Sequence, residues 1–553
     1  MAHYKKYDPI TYAKYSMNFL TTMTDTKVGN LPYWIIDLTG NPIYAQHSRV
    51  DDGELTSSWC EAIMLLQEMI GEEESNEVRE NMIKNILSGF HDDGLHYNRS
   101  YPWTEDIFAS FHEQAYVASF LTTWYSITGS LVAKTTMDRL VEGLRKVVIK
   151  KEQVTFWGGS YPYPRKSYYF LWESLFNGKG YDYTKSRGCG EEAVRNHIII
   201  GALTKYYEVS GNEDSLDLAE GLINHAVIES HLFGYNGEFG GHVHSHLWIA
   251  IGVARLARIK NDDSYKQLAR KIYQYGLRIS SSFGFVPQFG NLTPESHNNC
   301  ESCCIKDMIE LALEMIKLGY DEWDVIDRFA RNQLVENQIK SGKHLPLDNS
   351  LDDTDVMTFK YLDKRIIGGF TGYAEPNSIP MTNKRAIAGC CSGMAPQAHY
   401  LVWKNIVIKN DDIVSVNLLI DYNGDYADVQ CEYPNSGEII IRLKVNAILK
   451  IRIPEWVGER FSICLNNIQI PAMWDKNYII FNNAKAGDIV QITHNLQDKE
   501  LVEHVSGTDY TITWRGNDIV KMLPEGRFSR LYIRDPNYES PILFDKDKRV
   551  NQS

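Results

Sequence analysis

Two short segments of the sequence bring together residue types that bind metal ions. Glu301 and Cys303 lie two residues apart, and Cys390 and Cys391 form a vicinal pair directly after Gly389. Side chains at positions i and i+2 of an extended backbone point to the same side, and a glycine permits the bend that adjacent thiols need to reach one centre. Three thiolates and one carboxylate suit zinc in tetrahedral geometry, whereas soft sulfur disfavours magnesium and calcium. The pattern therefore predicts one zinc site at Glu301, Cys303, Cys390 and Cys391.

The clustered cysteines admit two other interpretations. Free cysteine is among the most buried residue types, so these thiols could be inert parts of a core. Cys300 and Cys304 flank Cys303, and either could replace it as the third sulfur ligand. In a large intracellular chain, clustered cysteines still favour metal binding or catalysis over disulfides.

Composition and charge narrow the class of protein. The 553 residues are 43% hydrophobic and 23% charged, as in a soluble globular protein of two or three domains. The net charge of -14 argues against nucleic acid or an anionic membrane as a partner, since either would require a basic face. The sequence has no apolar run of signal-peptide or membrane-span length, so we expect a cytoplasmic protein. The sequence is compatible with a homodimer.

Two acidic segments could suggest calcium. They are DDGE at 51–54 and HDDGLHY at 91–97. Both lack the ligand spacing of an EF-hand loop, so we interpret them as solvated turns.

Helical periodicity dominates the sequence from about residue 56 to 340. Helix pairs recur there at intervals of about 50 to 60 residues, with Gly- or Asn-rich breaks between them. Five or six helical hairpins favour a closed (α/α)6 barrel over an open solenoid. The predicted helices are 57–70, 112–128, 136–149, 193–211, 215–228, 245–259, 264–279, 301–319 and 322–339.

Strand signals replace the helical pattern toward the C-terminus. One more helix is predicted at 390–408, and from residue 411 short alternating segments are separated by Gly, Asn and Asp turns. Such segments are typical of an antiparallel β-sandwich. The expected fold is mainly α with β: an (α/α)6 toroid over 1–408 that carries the catalytic site, and a β-sandwich over 409–553.

Four motifs resemble those of glycoside hydrolase family 127, whose type activity is β-L-arabinofuranosidase. They are ESC at 301–303, GCC at 389–391, RIPEW at 452–456 and TWRG at 513–516, and the resemblance extends from about residue 50 to 535. It implies an (α/α)6 barrel followed by β-sandwich modules. It also implies that the four residues of the predicted zinc site bind zinc and that Cys390 is the nucleophile as well as a ligand.

The implied reaction needs a proton-transfer group in addition to the thiol. Zinc would keep Cys390 as the reactive thiolate, which would attack an anomeric carbon before water releases the sugar with net retention. The family's general acid is a glutamate in a GEAF-like phrase, which this sequence lacks. Glu295 is the carboxylate of the corresponding segment and is the predicted acid and base. Alternatively, it could cap a helix N-terminus or contact the zinc ligands. Glu191 and Glu192 are the reserve candidates.

Several residues are candidates for contacts with the sugar. In GGHVHSHLW, His242 matches a family histidine that touches the sugar, and His244 falls where the family has an asparagine. These two histidines and His246 could instead form an independent metal site. The other candidates, each also compatible with core packing, are His112, His197 and Tyr373.

The sequence thus predicts a retaining exo-glycosidase with a zinc cofactor. Its substrate would be a terminal β-L-arabinofuranoside, or a related rare sugar, in a glycoside or oligosaccharide. The alternatives are a lyase or a carboxylate-only hydrolase on the same toroid, and a non-catalytic protein that binds carbohydrate or in which zinc only holds the fold.

Overall fold

The computed structural model describes residues 3–71, 75–104, 107, 109–154, 165–170, 192–290, 298–380, 387–458, 460–527 and 529–538. The helices in these ranges are α1 (Pro9–Thr22), α2 (Thr56–Ile70), α3 (Asn76–Ser88), α4 (Phe111–Thr128), α5 (Leu131–Val147), α6 (Ile200–Ser210), α7 (Glu213–Asn224), α8 (Val243–Lys260), α9 (Asp263–Ile279), α10 (Ser302–Lys317), α11 (Trp323–Phe329), α12 (Leu362–Arg365) and α13 (Gly389–Ile406). Within the described ranges, no helix combines the length and the apolar character needed to cross a membrane.

Six helices form a closed ring. In order around the ring, α2, α4, α6, α8, α10 and α13 each pack on the next, and α13 returns to α2. Outer helices α3, α5, α7, α9 and α11 each pack back on the ring helix that precedes them, and α1 packs against α13. The predicted (α/α)6 toroid is therefore confirmed and the open solenoid is wrong. Because inner and outer helices alternate in direction, the N-termini of all six inner helices meet at one end of the ring.

Glycine ends three of the inner helices. Gly71, Gly129 and Gly211 follow α2, α4 and α6 with φ angles of 71°, 68° and 70°. Only glycine adopts this left-handed conformation without a steric cost, and its backbone N–H there bonds to a carbonyl of the last turn. These glycines are the breaks that mark the hairpin period in the sequence.

Charged side chains fill the middle of the ring. Glu61 of α2 forms an ion pair with Lys205 of α6 at 2.8 Å, and Arg255 of α8 pairs with Glu310 of α10 at 2.6 Å. Since α2 and α6 are not neighbours, the Glu61–Lys205 pair crosses the interior of the ring. These ion pairs fill the interior of the ring beyond the N-terminal turns of the inner helices. We call the space at the end of the ring that the helix N-termini border the cup.

The strands are β1 (Thr24–Asp25), β2 (Leu31–Pro32), β3 (Ile35–Asp37), β4 (Tyr44–Gln46), β5 (Val148–Val154), β6 (Arg165–Phe170), β7 (Met357–Thr358), β8 (Ser378–Ile379), β9 (Ile387–Ala388), β10 (Val407–Asn410), β11 (Ile413–Val416), β12 (Tyr422–Asn423), β13 (Ala427–Cys431), β14 (Gly437–Leu443), β15 (Ala447–Arg452), β16 (Phe461–Leu465), β17 (Ile468–Gln469), β18 (Trp474–Asp475), β19 (Tyr478–Ala484), β20 (Ile489–His494), β21 (Asp498–Val505), β22 (Thr508–Arg515), β23 (Asp518–Leu523) and β24 (Ser529–Arg530).

Two sheets follow the toroid as predicted. One has the order β10-β11-β15-β19-β18 and the other β12-β13-β14-β20-β16-β17. Alternating burial along β14, with Ile439 and Ile441 opposite Ile492 and Val490, shows one apolar face. The pair β11–β15 is parallel, because the intervening strands cross to the other sheet before the chain returns. The strand that contains the TWRG motif, β22, lies in a separate three-stranded sheet with β21 and β23.

A small sheet that the sequence did not predict leads into the GCC motif. Its order is β7-β4-β3-β9, and β9 runs directly into α13. The strands are two or three residues long and come from three distant parts of the chain. This sheet fixes where α13 begins, and so where Cys390 and Cys391 lie.

A buried arginine joins the toroid to the C-terminal sheets. Arg331 pairs with Asp327 at 2.6 Å and with Asp518 at 3.4 Å, and it donates a hydrogen bond to the carbonyl of Leu419. A buried arginine is tolerated only when its donors are paired. Arg331 therefore ties the toroid to two segments of the C-terminal part of the chain.

The solvated-turn interpretation of residues 51–54 is wrong. Asp51, Asp52 and Glu54 are all buried in a π-helical turn before α2. Asp51 accepts a hydrogen bond from the backbone N–H of Ser48, and Asp52 forms an ion pair with Arg99 at 2.8 Å. Partners from elsewhere in the fold stabilise this acidic segment inside the protein, and local sequence cannot show them.

The buried carboxyl of Glu113 gives a prediction for stability. Burial raises its pKa to about 8, compared with about 4.3 in an unfolded chain. Between those values the folded state holds an extra proton, so the free energy of unfolding should fall as pH rises, by up to about 1.4 kcal/mol per pH unit. Glu113→Gln keeps an oxygen acceptor for Asn98 but has no proton to lose. Between about pH 5 and pH 8 its free energy of unfolding, measured with denaturant, should fall less steeply than that of the wild type.

The matched control is Glu142→Gln on the exposed surface of α5. Lys146 lowers the pKa of Glu142, so its contribution changes only at more acidic pH. The free energy of unfolding of Glu142→Gln should therefore change with pH at the same rate as that of the wild type. An equal slope for Glu113→Gln would show that Glu113 is ionised in the folded protein.

Candidate metal centre

The four residues of the predicted zinc site lie together at the starts of two neighbouring ring helices. Glu301 directly precedes α10 with an extended backbone, and Cys303 lies in the first turn of that helix. Cys390 and Cys391 lie in the first turn of α13. Helix N-termini carry partial positive charge, which stabilises thiolates and carboxylates. Two such termini converge on this cluster.

The distances suit a single metal ion. One ligand atom from each of the four residues lies within 4.8 Å of the other three. Sγ of Cys303 is 3.3 Å from Sγ of Cys391, which is 4.0 Å from Oε1 of Glu301. Zinc–sulfur bonds of about 2.3 Å would place two sulfur ligands about 3.8 Å apart in a tetrahedral shell. A cluster of three sulfur donors and one carboxylate of this size could hold a metal.

Two glycines allow the backbone to approach the cluster closely. A Cβ at position 389 would lie 2.9 Å from Cδ1 of Leu55, and one at position 372 would lie 2.8 Å from Cβ of Ala388. The carbonyl of Gly389 accepts a hydrogen bond from the indole of Trp59. A side chain at either glycine would push α13 away from the segment that precedes α2 or from residues 370–374.

Cys390 differs from the other two thiols of the cluster. It is partly exposed, whereas Cys303 and Cys391 are buried. Hydrogen bonds from Cys303 and Cys391 lower the pKa of the Cys390 thiol well below its usual value, and His244 and His242 act in the same direction. Burial raises the pKa of the Cys303 and Cys391 thiols. The reactive thiolate form is therefore favoured at the sulfur that is accessible from the cup.

His242 supports the carboxylate of the cluster. Its Nε2 lies 2.9 Å from Oε2 of Glu301, and its Nδ1 lies 2.9 Å from Oγ of Ser245. Oε1 of Glu301 faces Cys391, so the two carboxylate oxygens have separate partners. A histidine in this position fixes the orientation of a carboxylate ligand.

His244 belongs to a buried hydrogen-bonded chain beside the thiols. Its Nδ1 contacts Oδ2 of Asp307, and its Nε2 lies 2.9 Å from the hydroxyl of Tyr116. Burial lowers the pKa of His244, but Asp307 and Glu301 together more than offset that effect and leave the pKa above its ordinary value. Local sequence does not link Asp307 with His244, because the two residues are far apart in the chain.

The three histidines of GGHVHSHLW do not gather around one point. His246 stacks on Phe239 with ring centroids 4.9 Å apart, while His242 and His244 contact carboxylates of α10 and the residue before it. Among the described residues, the groups whose ligand atoms lie close enough to share a metal ion do not include this trio.

His112 lies next to Glu54 at the same end of the ring. Its Nδ1 is 3.4 Å from Oε2 of Glu54, and its ring meets Tyr116 edge-on at 5.1 Å. Burial and the nearby His244 and His242 lower the pKa of His112 to about 3, so the ring is neutral. Glu54 shares a neighbour with the thiols, since Glu54, Cys303 and Cys390 all act electrostatically on Tyr116. The sequence did not single out Glu54 as a catalytic candidate, because DDGE has the composition of a surface turn.

The remaining candidates are spread around the centre. Tyr373 follows Gly372, where an added Cβ would lie 3.6 Å from Sγ of Cys391. The backbone N–H of Tyr373 donates a hydrogen bond to Oγ1 of Thr371. His197 contacts Glu192 and His225 at the start of α6. Glu191 and Glu295 lie outside the described residues.

The flanking cysteines have other contacts. Cys300 accepts a hydrogen bond from Asn337 at 3.6 Å, and Cys304 lies 3.6 Å from Oε2 of Glu301. The group of ligand atoms within mutual reach contains Cys303 and neither of its neighbours. The geometry thus favours Cys303 as the third sulfur of the cluster.

Six inner helices, each paired with an outer helix, and the β-sheets that follow them in the chain define an α/α toroid with C-terminal β modules. No protein-family model matches the chain, and no curated protein matches its sequence. Solved structures do share the fold. A β-L-arabinofuranosidase of glycoside hydrolase family 127 from Geobacillus stearothermophilus T6 is 16% identical with a TM-score of 0.57, and the match covers 93% of this chain and 80% of that chain.

Two further structures agree with that match. Another β-arabinofuranosidase of glycoside hydrolase family 127 is 15% identical with a TM-score of 0.59, covering 92% of this chain and 80% of its own. A structure described as a glycoside hydrolase is 12% identical with a TM-score of 0.63, covering 94% of this chain and 81% of its own. The fold expected from the motif resemblance is confirmed, and at these identities the likeness concerns the fold.

Proposed function

We propose that this protein is a retaining exo-glycosidase that hydrolyses terminal β-L-arabinofuranosides or glycosides of a related rare sugar. The observation that carries the proposal is the partly exposed Cys390 thiol, which lies with Glu301, Cys303 and Cys391 at the starts of two ring helices. The solved structures of the same fold include two arabinofuranosidases, which supports the choice of sugar.

Zinc is the proposed occupant of the cluster. Glu301, Cys303, Cys390 and Cys391 would hold it, and three sulfurs in the donor set favour zinc over magnesium or calcium. When bound, zinc would keep all the thiols deprotonated at neutral pH.

The chain's own groups would then carry out two displacements. The Cys390 sulfur forms a bond to the anomeric carbon while the bond to the leaving oxygen breaks, and a carboxylic acid gives that oxygen its proton. In the second step the resulting carboxylate takes a proton from water as the water oxygen bonds to the anomeric carbon. The carbon–sulfur bond breaks and the thiolate returns, and two inversions give net retention.

Two carboxylates are candidates for the proton transfer. Glu295 is the candidate predicted from the sequence. Glu54 is favoured by its contact with His112 and by its neighbour Leu55, which packs against Gly389 beside Cys390.

Histidines and one tyrosine would bind the sugar hydroxyls. His242 and His112 are partly exposed at the cup. His244 is buried and would hold its hydrogen-bond partner Tyr116 in position. Tyr373 completes the proposed set of sugar-binding residues. His197 is left out of it, because its side chain is fully buried and both of its ring nitrogens have partners in the protein. We also propose a cytoplasmic location, where reduced thiols persist, and small glycosides or oligosaccharides as substrates.

A panel of nitrophenyl glycosides tests the proposed activity. The protein should release nitrophenol fastest from the β-L-arabinofuranoside, with retained configuration in the first-formed sugar. Prolonged treatment with a strong chelator should lower turnover by at least about tenfold, and added zinc should restore it.

The rival functions give different results in the same assay. A protein in which zinc only holds the fold would be inactive on the whole panel. A lyase would produce an unsaturated uronate that absorbs in the ultraviolet. Activity that survives complete metal removal would contradict the zinc-dependent mechanism.

A further inference from the structure

A second group of metal-binding side chains lies at the start of α6. Glu192 directly precedes the π-helical turn Ala193–His197 that leads into α6, and His225 follows the last residue of α7. One ligand atom from each of Glu192, His197 and His225 lies within 4.8 Å of the other two. The group shares no residue with the Glu–Cys cluster.

Hydrogen bonding fixes the proton on His197. Its Nδ1 lies 3.2 Å from the backbone carbonyl oxygen of Glu192, which can only accept, so the ring proton is assigned to Nδ1. The neutral ring then presents a lone pair at Nε2. That atom lies 3.0 Å from Nδ1 of His225.

His225 can face this lone pair in two ways. As a donor, its Nδ1–H makes an ordinary hydrogen bond to His197. Oγ of Ser230 lies 3.0 Å from Nδ1 of His225 and 3.4 Å from Oε1 of Glu192, so its one proton can turn from the carboxylate to His225 and leave the ring proton on Nε2. Both facing nitrogens then carry lone pairs, and a cation beside the line that joins them would bind both. One tautomeric change in His225 converts the pair from a hydrogen bond into a two-nitrogen clamp.

The charges around the pair favour the neutral rings that metals bind. Burial lowers the pKa of His197 to about 3, and burial also lowers the pKa of His225. Glu192 supplies the negative charge, and its Oε1 accepts a hydrogen bond from Asn196 at 2.9 Å. The Glu192 side chain is 45% exposed, so an ion can reach the group from its side.

We propose that Glu192, His197 and His225 form a second divalent metal site, of the zinc type. Two imidazole nitrogens and one carboxylate suit zinc, cobalt or nickel, whereas magnesium and calcium prefer oxygen shells. Zinc–nitrogen bonds of about 2.0–2.1 Å place two ligand nitrogens about 3.3 Å apart, near the 3.0 Å observed here. Rotation of the Glu192 side chain brings its carboxylate in as the third ligand.

An ion at this site would join the entry of α6 to the end of α7. It would hold one hairpin of the toroid at the same end of the ring as the thiols. It would also make His197 a metal ligand in place of the sugar contact predicted from the sequence.

Cobalt distinguishes the two sites without any measurement of turnover. The full-length protein, stripped of metal by dialysis, is titrated with Co²⁺, and the bound metal is counted after gel filtration. We expect one equivalent with a sulfur-to-cobalt charge-transfer band and a second equivalent with only weak d–d absorption. His225→Gln and Glu192→Gln should lose the second equivalent and keep the sulfur band, which also reports that the variants remain folded.

His246→Gln is the matched control. His246 is another buried ring of the toroid, with a pKa that burial lowers to about 4 and with no place in the group. It should retain both equivalents. A wild type that binds only the sulfur-coordinated ion, or a second equivalent that persists in either His225→Gln or Glu192→Gln, would overturn the proposal. Because no activity is measured, neither result depends on the proposed glycosidase.

Discussion

Replacing Cys390 by alanine is expected to abolish turnover on the best glycoside substrate, with kcat/KM lower by at least about 10⁴-fold. The variant loses the thiolate whose pKa its neighbours lower and which is accessible from the cup. Cys303 and Cys391 are not expected to replace it, because both are buried and out of reach of a substrate.

Loss of metal binding would also reduce activity, so the design must separate the two roles of Cys390. Cys391→Ala removes a sulfur that is buried, and its activity should recover in part when zinc is in excess. Cys390→Ala should not recover at any zinc concentration. Cys300→Ala serves as the matched control, since Cys300 is buried in the same segment and contacts Asn337. Its turnover should stay within about threefold of the wild type.

Mass spectrometry gives a direct readout of the covalent step. Rapid acid quenching during turnover of a slow substrate should trap one sugar on the peptide that contains Cys390. The adduct should be absent in Cys390→Ala. If Cys390→Ala retains more than about one per cent of wild-type turnover, thiol attack is excluded and the carboxylate-only hydrolase is the better description.

The ring helices could be predicted from sequence because each buries a face with helical spacing. Predictions such as 57–70 and 245–259 agree with α2 and α8 to within two residues. α3 was missed, because its buried residues are only Met82, Asn85 and Ile86 and seven of its other ten positions are polar. An outer helix of this kind is stabilised mainly by its contact with the ring, which local sequence does not record.

In the candidate site, too, some residues could be predicted from the sequence and others could not. Glu301, Cys303, Cys390 and Cys391 were found because thiols and a carboxylate are rare enough to stand out by type and spacing. Asp307 and Glu54 were not, since their partners His244 and His112 lie on other ring helices. Carboxylates are common, and only the closed ring shows which of them face the cup.

Glu54→Gln is expected to lose about 10²- to 10⁴-fold in kcat/KM on substrates with poor leaving groups, such as alkyl arabinofuranosides. Glutamine preserves the shape of the side chain and an oxygen near His112, but it cannot supply a proton. On a dinitrophenyl glycoside, whose leaving group needs no proton, formation of the glycosyl-enzyme should be nearly unchanged. Its hydrolysis should become rate-limiting, because the base that activates water is missing.

Glu295→Gln, measured in parallel, tests the candidate predicted from the sequence. Two results together identify the acid. Its Gln variant loses kcat/KM by an amount that depends on the leaving group. Its Ala variant recovers turnover when azide is added, and the product is a glycosyl azide of retained configuration. A residue that only binds the sugar would lose activity equally with both leaving groups and would not respond to azide. If Glu54→Gln behaves in that uniform way while Glu295→Gln shows the leaving-group dependence, Glu54 is a sugar contact and the proton is carried by Glu295.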